Sequence, residues 1–309
     1  MRLGVAVVDG CFTAAVAAIV DVLTVAEVVR SSVDPAIPPI EVEMLGPRRR
    51  VTTGSGWAIP TAGPLAALAD VDVAVVPAMG TLTADDTLAM LEITEVRRLV
   101  RALGQAGDSV RLAAACTGTF PVAEAGVLDR GRATTSWWLG TAFRQRYPAV
   151  DLDLEAMVVT DGRTMTAGAA FAHVDLALAL LRQSSPELAE QVARLLVIDE
   201  RPSQGAYLAL DHLDHRDDVV VAFEHHVRAH LGEPFDVAGA ARAVGTSRRT
   251  LERRLERSLG LSPLAFVQRL RVERAVHLMR TTGASVDQVA PRVGYANGST
   301  LRALLRRLA

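Results

Sequence analysis

Residues 237–257, VAGAARAVGTSRRTLERRLER, decide how the chain is to be read. Ala240, Ala241 and Val244 would give a first helix a face of small apolar side chains that a second helix can approach closely. Gly245 then offers a residue that tolerates positive φ just past a helix end. Thr246 and Ser247 supply hydroxyls where the next helix must satisfy its orphan N–H groups. Beyond that cap Leu251 and Leu255 fall four apart and turn inward, which leaves Arg248, Arg249, Glu252, Arg253 and Arg254 on the other faces. The pattern predicts a helix, a tight turn and a second helix able to enter a DNA major groove.

The layout occurs twice. In VDQVAPRVGYANGSTLRALLRR, residues 286–307, Ala290 and Gly294 repeat the offset of Ala241 and Gly245, and Leu301 answers Leu251 with one extra turn residue. Between the copies, Ser262 is placed to cap a helix with Pro263 at its first position, running to about Arg280 before Gly283. Such a helix spans roughly 27 Å, so two reading helices at its ends could reach successive major grooves about 34 Å apart. A purely architectural bundle with a solvated arginine face would explain the charge but not the repetition.

Over about the last 90 residues the chain resembles the DNA-binding domain of the AraC/XylS transcription regulators, in which two helix-turn-helix units are joined by one rigid helix. The resemblance implies double-stranded DNA as a partner. Matching positions within the two units place Arg249, Glu252 and Arg253 in the groove from the first, and Ser299, Arg302 and Ala303 from the second, with Thr300 a further DNA-binding candidate. Arg249 or Arg253 would pair with guanine, Glu252 would accept from cytosine N4, and Ala303 would touch a thymine methyl. Arg248, Arg254, Arg257 and Arg306 are expected to hold phosphates. Pro291 falls inside the first helix of the second unit, and the sequence reaches Ala309 before any counterpart of Gly260–Pro263. The second unit is therefore expected to contribute less specificity than the first.

Charge separates the two ends of the chain. The formal net charge is −2, but residues 1–200 hold 16 Arg against 24 Asp and Glu, and residues 201–236 hold 3 against 7. Residues 237–309 hold 14 Arg against 4 acids, a basic module on an acidic body. With 309 residues, half of them hydrophobic, the chain is long enough for two cored domains. Two cysteines, Cys11 and Cys116, build no disulfide framework, which suits a reducing cytosol. Asp9 and Gly10 interrupt the apolar N-terminus, and Cys11–Val20 is too short to span a bilayer, so a cytoplasmic location without membrane association is expected.

The acidic body alternates strands and helices. Strands are expected at Arg2–Val8, Glu41–Leu45, Val71–Pro77 and Val110–Ala115, with hairpins across Val51–Ile59 and Ala156–Thr166. Helices are expected at Phe12–Arg30, Thr87–Ala106, Thr117–Ala125, Trp137–Arg146, Phe171–Leu181 and Glu187–Leu196. This order argues for a parallel sheet covered on both faces. The reading gives an α/β domain over 1–196, an interdomain connection over 197–217 in which Tyr207, Leu208 and Leu210 are too apolar to hang in water, and an all-α DNA-binding domain over 218–309 that opens with a helix at Val219–Leu231.

Cys116, in RLAAACTGTFPVAEAGVL, stands where a strand gives way to a helix, a place where the helix dipole can lower a thiol pKa. The strand–Cys–helix arrangement resembles the PfpI-protease-like division of the class I glutamine-amidotransferase-like fold. ATTSWW at 133–138 and TAGAAFAHVDLALAL at 166–180 are also similar to segments of the GlxA-type AraC-family regulators, which the whole chain resembles. That resemblance implies a homodimer that senses a small molecule, nitrogenous in relatives of this type. Hydrolases of the fold place a His after the nucleophile and an acid on the first helix. Here Thr117 follows Cys116, and Ala14, Ala15 and Val16 stand where the acid belongs, so no catalytic residue is assigned.

Three readings of Cys116 stay open: a nucleophile of an amidase or hydrolase, a pocket or redox-sensing thiol, and an inert core thiol. Thr117, Trp137, His173 and Asp175 are candidates to line the same pocket, since strand ends and helix starts converge there. For His173 the alternative is a ring satisfied by backbone, and one of Trp137 and Trp138 is expected to be core. His212, His215, His225, His226 and His230 resemble a metal cluster by count, but no HExxH arrangement or cysteine accompanies them. Neither a metal nor a cofactor is expected.

Overall fold

In the computed structural model the described residues are 1–199, 201, 203–205 and 217–308, without the side chains of His277, Arg280, Thr281 and Leu308. They form two compact units, Met1–Gln204 and Gly205–Ala309. Tyr207, Leu208, Leu210, His212 and His215 lie outside the described residues.

The first unit is built on one seven-stranded sheet. Its strands are β1 (Arg2–Ala6), β2 (Glu41–Gly46), β5 (Gly63–Pro64), β6 (Val73–Val76), β7 (Arg111–Ala115), β10 (Val158–Asp161) and β11 (Thr164–Ala167). The spatial order is β10-β11-β7-β6-β1-β2-β5, and every pairing is parallel except the β10–β11 hairpin. Leu3, Val5, Val73, Val75 and Ala113 are fully buried, as runs of apolar residues must be when helices cover both faces of a sheet. The hairpin expected near Val51 is present as β3 (Arg50–Thr52) and β4 (Ala58–Pro60). Arg132–Ala133 (β8) and Asp151–Leu152 (β9) form a separate two-stranded ribbon.

Helices α1 (Thr13–Val33), α6 (Ala172–Ser184) and α7 (Pro186–Leu195) pack against one another. The single helix expected over Thr87–Ala106 is two, α2 (Ala84–Met90) and α3 (Thr94–Gln105). Ile93 turns to an extended conformation between them, while Met90, Leu91, Val96 and Leu99 are buried on either side, so the apolar rhythm carries no trace of the break. Beyond β7 a 3-10 turn, Cys116–Gly118, leads into α4 (Thr119–Glu124), and α5 (Gly140–Arg146) follows a 3-10 turn at Trp137–Leu139.

Arg201, Ser203 and Gln204, expected to lie within the loose connection over 197–217, are fastened to the α/β unit. Arg201 pairs with Asp175, Ser203 donates to Glu155 O at 2.9 Å, and Gln204 donates to Thr135 O at 2.9 Å. An ion pair and buried amide bonds give this stretch a place that its apolar content alone did not indicate.

The second unit has two cores strung along one helix. An opening helix, Asp218–Ala229, packs with Val237–Ala243 and Arg248–Leu259 around Phe223, Ala240, Ala241, Leu251 and Leu255. The connecting helix Pro263–Thr282 adds Phe266, Val267 and Leu270 to that core, and then Val272, Ala275 and Leu278 to a second. There they meet Val289, Ala290, Val293, Leu301 and Leu304. Its 20 residues correspond to a rod of about 30 Å. Pro291 is accommodated by a change of helix type: the α-helix is a single turn, Val286–Val289, and Ala290–Val293 continues as a 3-10 turn. The proline thus ends the α-helix where its missing N–H would have left a gap in the ladder.

Candidate nucleic-acid interface and cysteine turn

The two helix-turn-helix turns are congruent. Gly245 and Gly294 have φ of +69° and +82°, values that only glycine adopts without strain. Thr246 N–H donates to Ala241 O at 2.9 Å, and Tyr295 N–H donates to Ala290 O at the same distance and offset. Ser247 then caps the first reading helix by accepting from Thr250 N–H at 3.2 Å. Asn297 plays that part in the second, Gly298–Leu308, accepting from Ser299 N–H at 3.2 Å and Thr300 N–H at 3.4 Å.

On the first reading helix Arg249, Arg253 and Arg257 are exposed, and among the described residues no carboxylate pairs with them. Arg248 holds Glu252 across one turn at 2.8 Å, so the acid expected to read cytosine is engaged by its neighbour in this structure. Arg254 is committed inward: its guanidinium meets Asp217 at 2.8 Å, and Asp217 also caps the opening helix through Val219 and Val220 N–H. On the second, Arg306 and Ala303 are exposed, Arg302 is paired with Asp287, and Ser299 Oγ donates to Asn297 at 2.5 Å. Among the described residues, the reading helix Arg248–Leu259 thus carries more arginines without a carboxylate partner than Gly298–Leu308 does.

The cysteine turn is a closed arrangement. Cys116 takes φ of +57° and its side chain packs against Ala15 and Ala78, with Phe12, Trp138 and Ala170 beside it. Gly118 lets the turn approach β6: a Cβ there would lie 2.4 Å from Val76 O. Thr117 Oγ1 accepts from Met79 N–H at 2.8 Å and donates to Met79 O at 2.9 Å. Ser136 donates to Cys116 Sγ at 2.8 Å, and Thr135 donates to Cys116 O at 2.8 Å. Burial pushes the thiol pKa up, against the pull of Ser136 and Thr117. The lowering expected at a helix start is therefore overridden by desolvation.

His173 is fully buried, and both ring nitrogens are used. Nε2 accepts from Ala78 N–H at 3.0 Å, so Nδ1 carries the proton and donates it to Ala170 O. Burial lowers its pKa to about 4. Asp175 is held by Arg201, which also donates to Phe171 O at 2.8 Å; burial nevertheless moves its carboxyl up from the ordinary range. Trp137 and Trp138 are half-buried and stacked edge to face at 5.3 Å, and Trp138 Nε1 donates to Leu82 O at 3.0 Å. Ser136 and Gln204 went unassigned in the sequence; the run of hydroxyls in ATTSWW was the available signal for the first.

His226 and His230 stack at 4.5 Å on the opening helix, and the described residues contain no cluster of three metal-ligating side chains. No described helix is long and apolar enough to cross a membrane.

Fold and sites define a two-part class, a parallel-sheet α/β unit with a strand–Cys–helix turn followed by a doubled helix-turn-helix. Residues 240–309 match the family described as helix-turn-helix domain. Over 198 residues the chain is 33% identical to the HTH-type transcriptional regulator CdhR of Pseudomonas aeruginosa, covering 62% of this chain and 58% of that protein. It is 24% identical over 221 residues to the HTH-type transcriptional regulator GlxA of Rhizobium meliloti, covering 70% and 65%. The chain thus spans less than two thirds of these relatives. A ThiJ/PfpI family protein from Pseudomonas syringae shares the fold with a TM-score of 0.54 at 17% identity, over 79% of this chain and 90% of that one. An AraC family transcriptional regulator from Pseudomonas putida does so with a TM-score of 0.51 at 22% identity, over 63% and 98%. Residues 240–309 are thus matched as a helix-turn-helix domain, the chain is similar over about two thirds of its length to HTH-type transcriptional regulators, and it shares its fold with a ThiJ/PfpI family protein.

Proposed function

We propose that the chain is a cytoplasmic, sequence-specific regulator of transcription that grips double-stranded DNA through both helix-turn-helix units, while its α/β unit senses a small molecule without turning it over. The observation that carries this reading is the pair of congruent glycine turns, each presenting a capped helix, with Arg249, Arg253 and Arg257 exposed on the first and without a carboxylate partner among the described residues. The names of the relatives, HTH-type transcriptional regulators, support it. Guanidinium groups left in water along a capped helix are suited to phosphates and guanine edges.

A thiol hydrolase would need a base on Cys116. Its sulfur instead receives a hydrogen bond from Ser136, Ala15 packs where an acid would stand, and His173 is held by Ala78 and Ala170. The test is selection of duplexes from a randomised 40-base-pair library by the full chain, followed by titration at several salt concentrations. Each phosphate contact should steepen the fall of log K with log salt by roughly 0.9. Affinity that is absent, or indifferent to salt, would end the regulator reading.

A further inference from the structure

Arg271 sits in the connecting helix between Leu270, the last residue of the first core, and Val272, the first of the second. It is 7% exposed, and no carboxylate among the described residues pairs with it. Backbone carbonyls satisfy its guanidinium instead. Nε donates to Leu231 O at 3.0 Å and Nη2 to Glu233 O, both in the loop that follows the opening helix. Nη1 donates to Gly294 O at 3.1 Å, in the turn of the second unit. The group also lies over the Tyr295 ring at 5.2 Å. Gly294 makes room for it, since a Cβ there would come within 2.5 Å of Nη2 and 2.9 Å of Leu231 O.

A buried charge is a costly way to fill space, because an apolar side chain of the same length would avoid the desolvation penalty. What the fork supplies is direction: three donors in one plane tie a loop of the first unit and the turn of the second to one point on the rod. Leu231 packs on the first core and Tyr295 on the second, so the arginine spans the seam between two bodies that have separate cores. Two reading helices engage one face of a duplex together only if their relative rotation matches the helical repeat.

We propose that Arg271 is a positioning residue for two-groove binding, locking the two helix-turn-helix units in the relative orientation that both grooves require. This rests on the regulator reading, and the experiment separates the two. The full-chain protein is titrated with three probes: a duplex it has itself selected, the same duplex with one half-site scrambled, and the same duplex with about five base pairs, half a turn, inserted between half-sites. The wild type should lose roughly ten- to hundredfold on either change. Arg271→Met should bind the intact duplex no better than the wild type binds the scrambled one, and insertion should cost it little more. Arg271→Lys keeps the charge without the fork and should behave as Met does, which covers the case in which Met fails to fold.

Variants that keep the wild-type penalty for insertion would overturn the proposal while leaving the regulator intact. Variants that lose intact and half-site duplexes in equal proportion would also overturn it, by showing a structural role only. A wild type that selects no duplex would remove the regulator reading and this one with it.

Discussion

The cysteine turn and the first reading helix are opposites. Around Cys116 the polar groups of Thr117, Ser136 and His173 are spent on partners inside the fold, and the thiol is 3% exposed. Along Arg248–Leu259 the apolar side chains Leu251 and Leu255 are fully buried, while Arg249, Arg253 and Arg257 are left in water. A site that satisfies itself is stable and chemically quiet, whereas one whose charges are unpaired must find its partner elsewhere. The difference teaches where an external ligand of opposite charge can act on this chain.

The largest effect expected is on the quiet side. His173 is held neutral, with a folded pKa of about 4 against about 6.5 for the unfolded chain. Its contribution is whole above pH 6.5, since neither state then carries the proton. It is lost as pH falls from about 6.5 towards about 4, because only the unfolded ring charges; the loss amounts to about 3 kcal/mol. Asp175, raised by burial, runs in the other sense, so the comparison needed is with His173→Gln. Calorimetric unfolding should show that the variant lacks this part of the acid slope; equal slopes would mean that the ring is not protected as described.

Next in size is a contrast between the reading helices. Arg253→Ala should weaken binding to a selected duplex by about 1–3 kcal/mol, the value of one good base contact. Arg302→Ala should cost less, because Arg302 must first leave Asp287, and an exposed pair of this kind withholds up to about 1 kcal/mol. The reverse order would make the second unit the principal reader. The same pair gives a smaller prediction: Asp287→Asn frees Arg302 and removes a negative charge, and should steepen the salt dependence by about one contact. An unchanged slope would place Arg302 away from the DNA.

Legibility followed the range of the interactions. The glycines at 245 and 294, the cap at Ser247 and the start of the connecting helix at Ser262–Pro263 are local signals, and each stands where the sequence placed it. The parallel sheet was legible too, because β6 is apolar throughout and β1 and β7 are so after a single leading arginine. What the sequence hid depends on chain segments far apart: Arg254 meets Asp217 across 37 residues, and His173 meets Ala78 across 95. Arginine at a helix surface reads as solvated until the opposing carboxylate is placed, so the phosphate role expected of Arg254 competes with an internal one. Arg271 was invisible for the same reason, since backbone carbonyls leave no mark in a sequence.

The smallest effect is expected at the cysteine itself. Cys116→Ser keeps a group that can accept from Ser136, and the residue lies in a unit with its own core, separate from the helices that carry the free arginines. Substitutions that share no partners act independently. DNA affinity without added small molecules should therefore stay within about twofold of wild type, even though a hydroxyl among Ala15, Ala78 and Trp138 costs some stability. Titration of the selected duplex with the folded variant decides the matter. A large loss would mean that the turn already communicates with the DNA-binding unit in the empty protein, and the separation between a self-satisfied site and an outward-facing one would no longer describe how the molecule works.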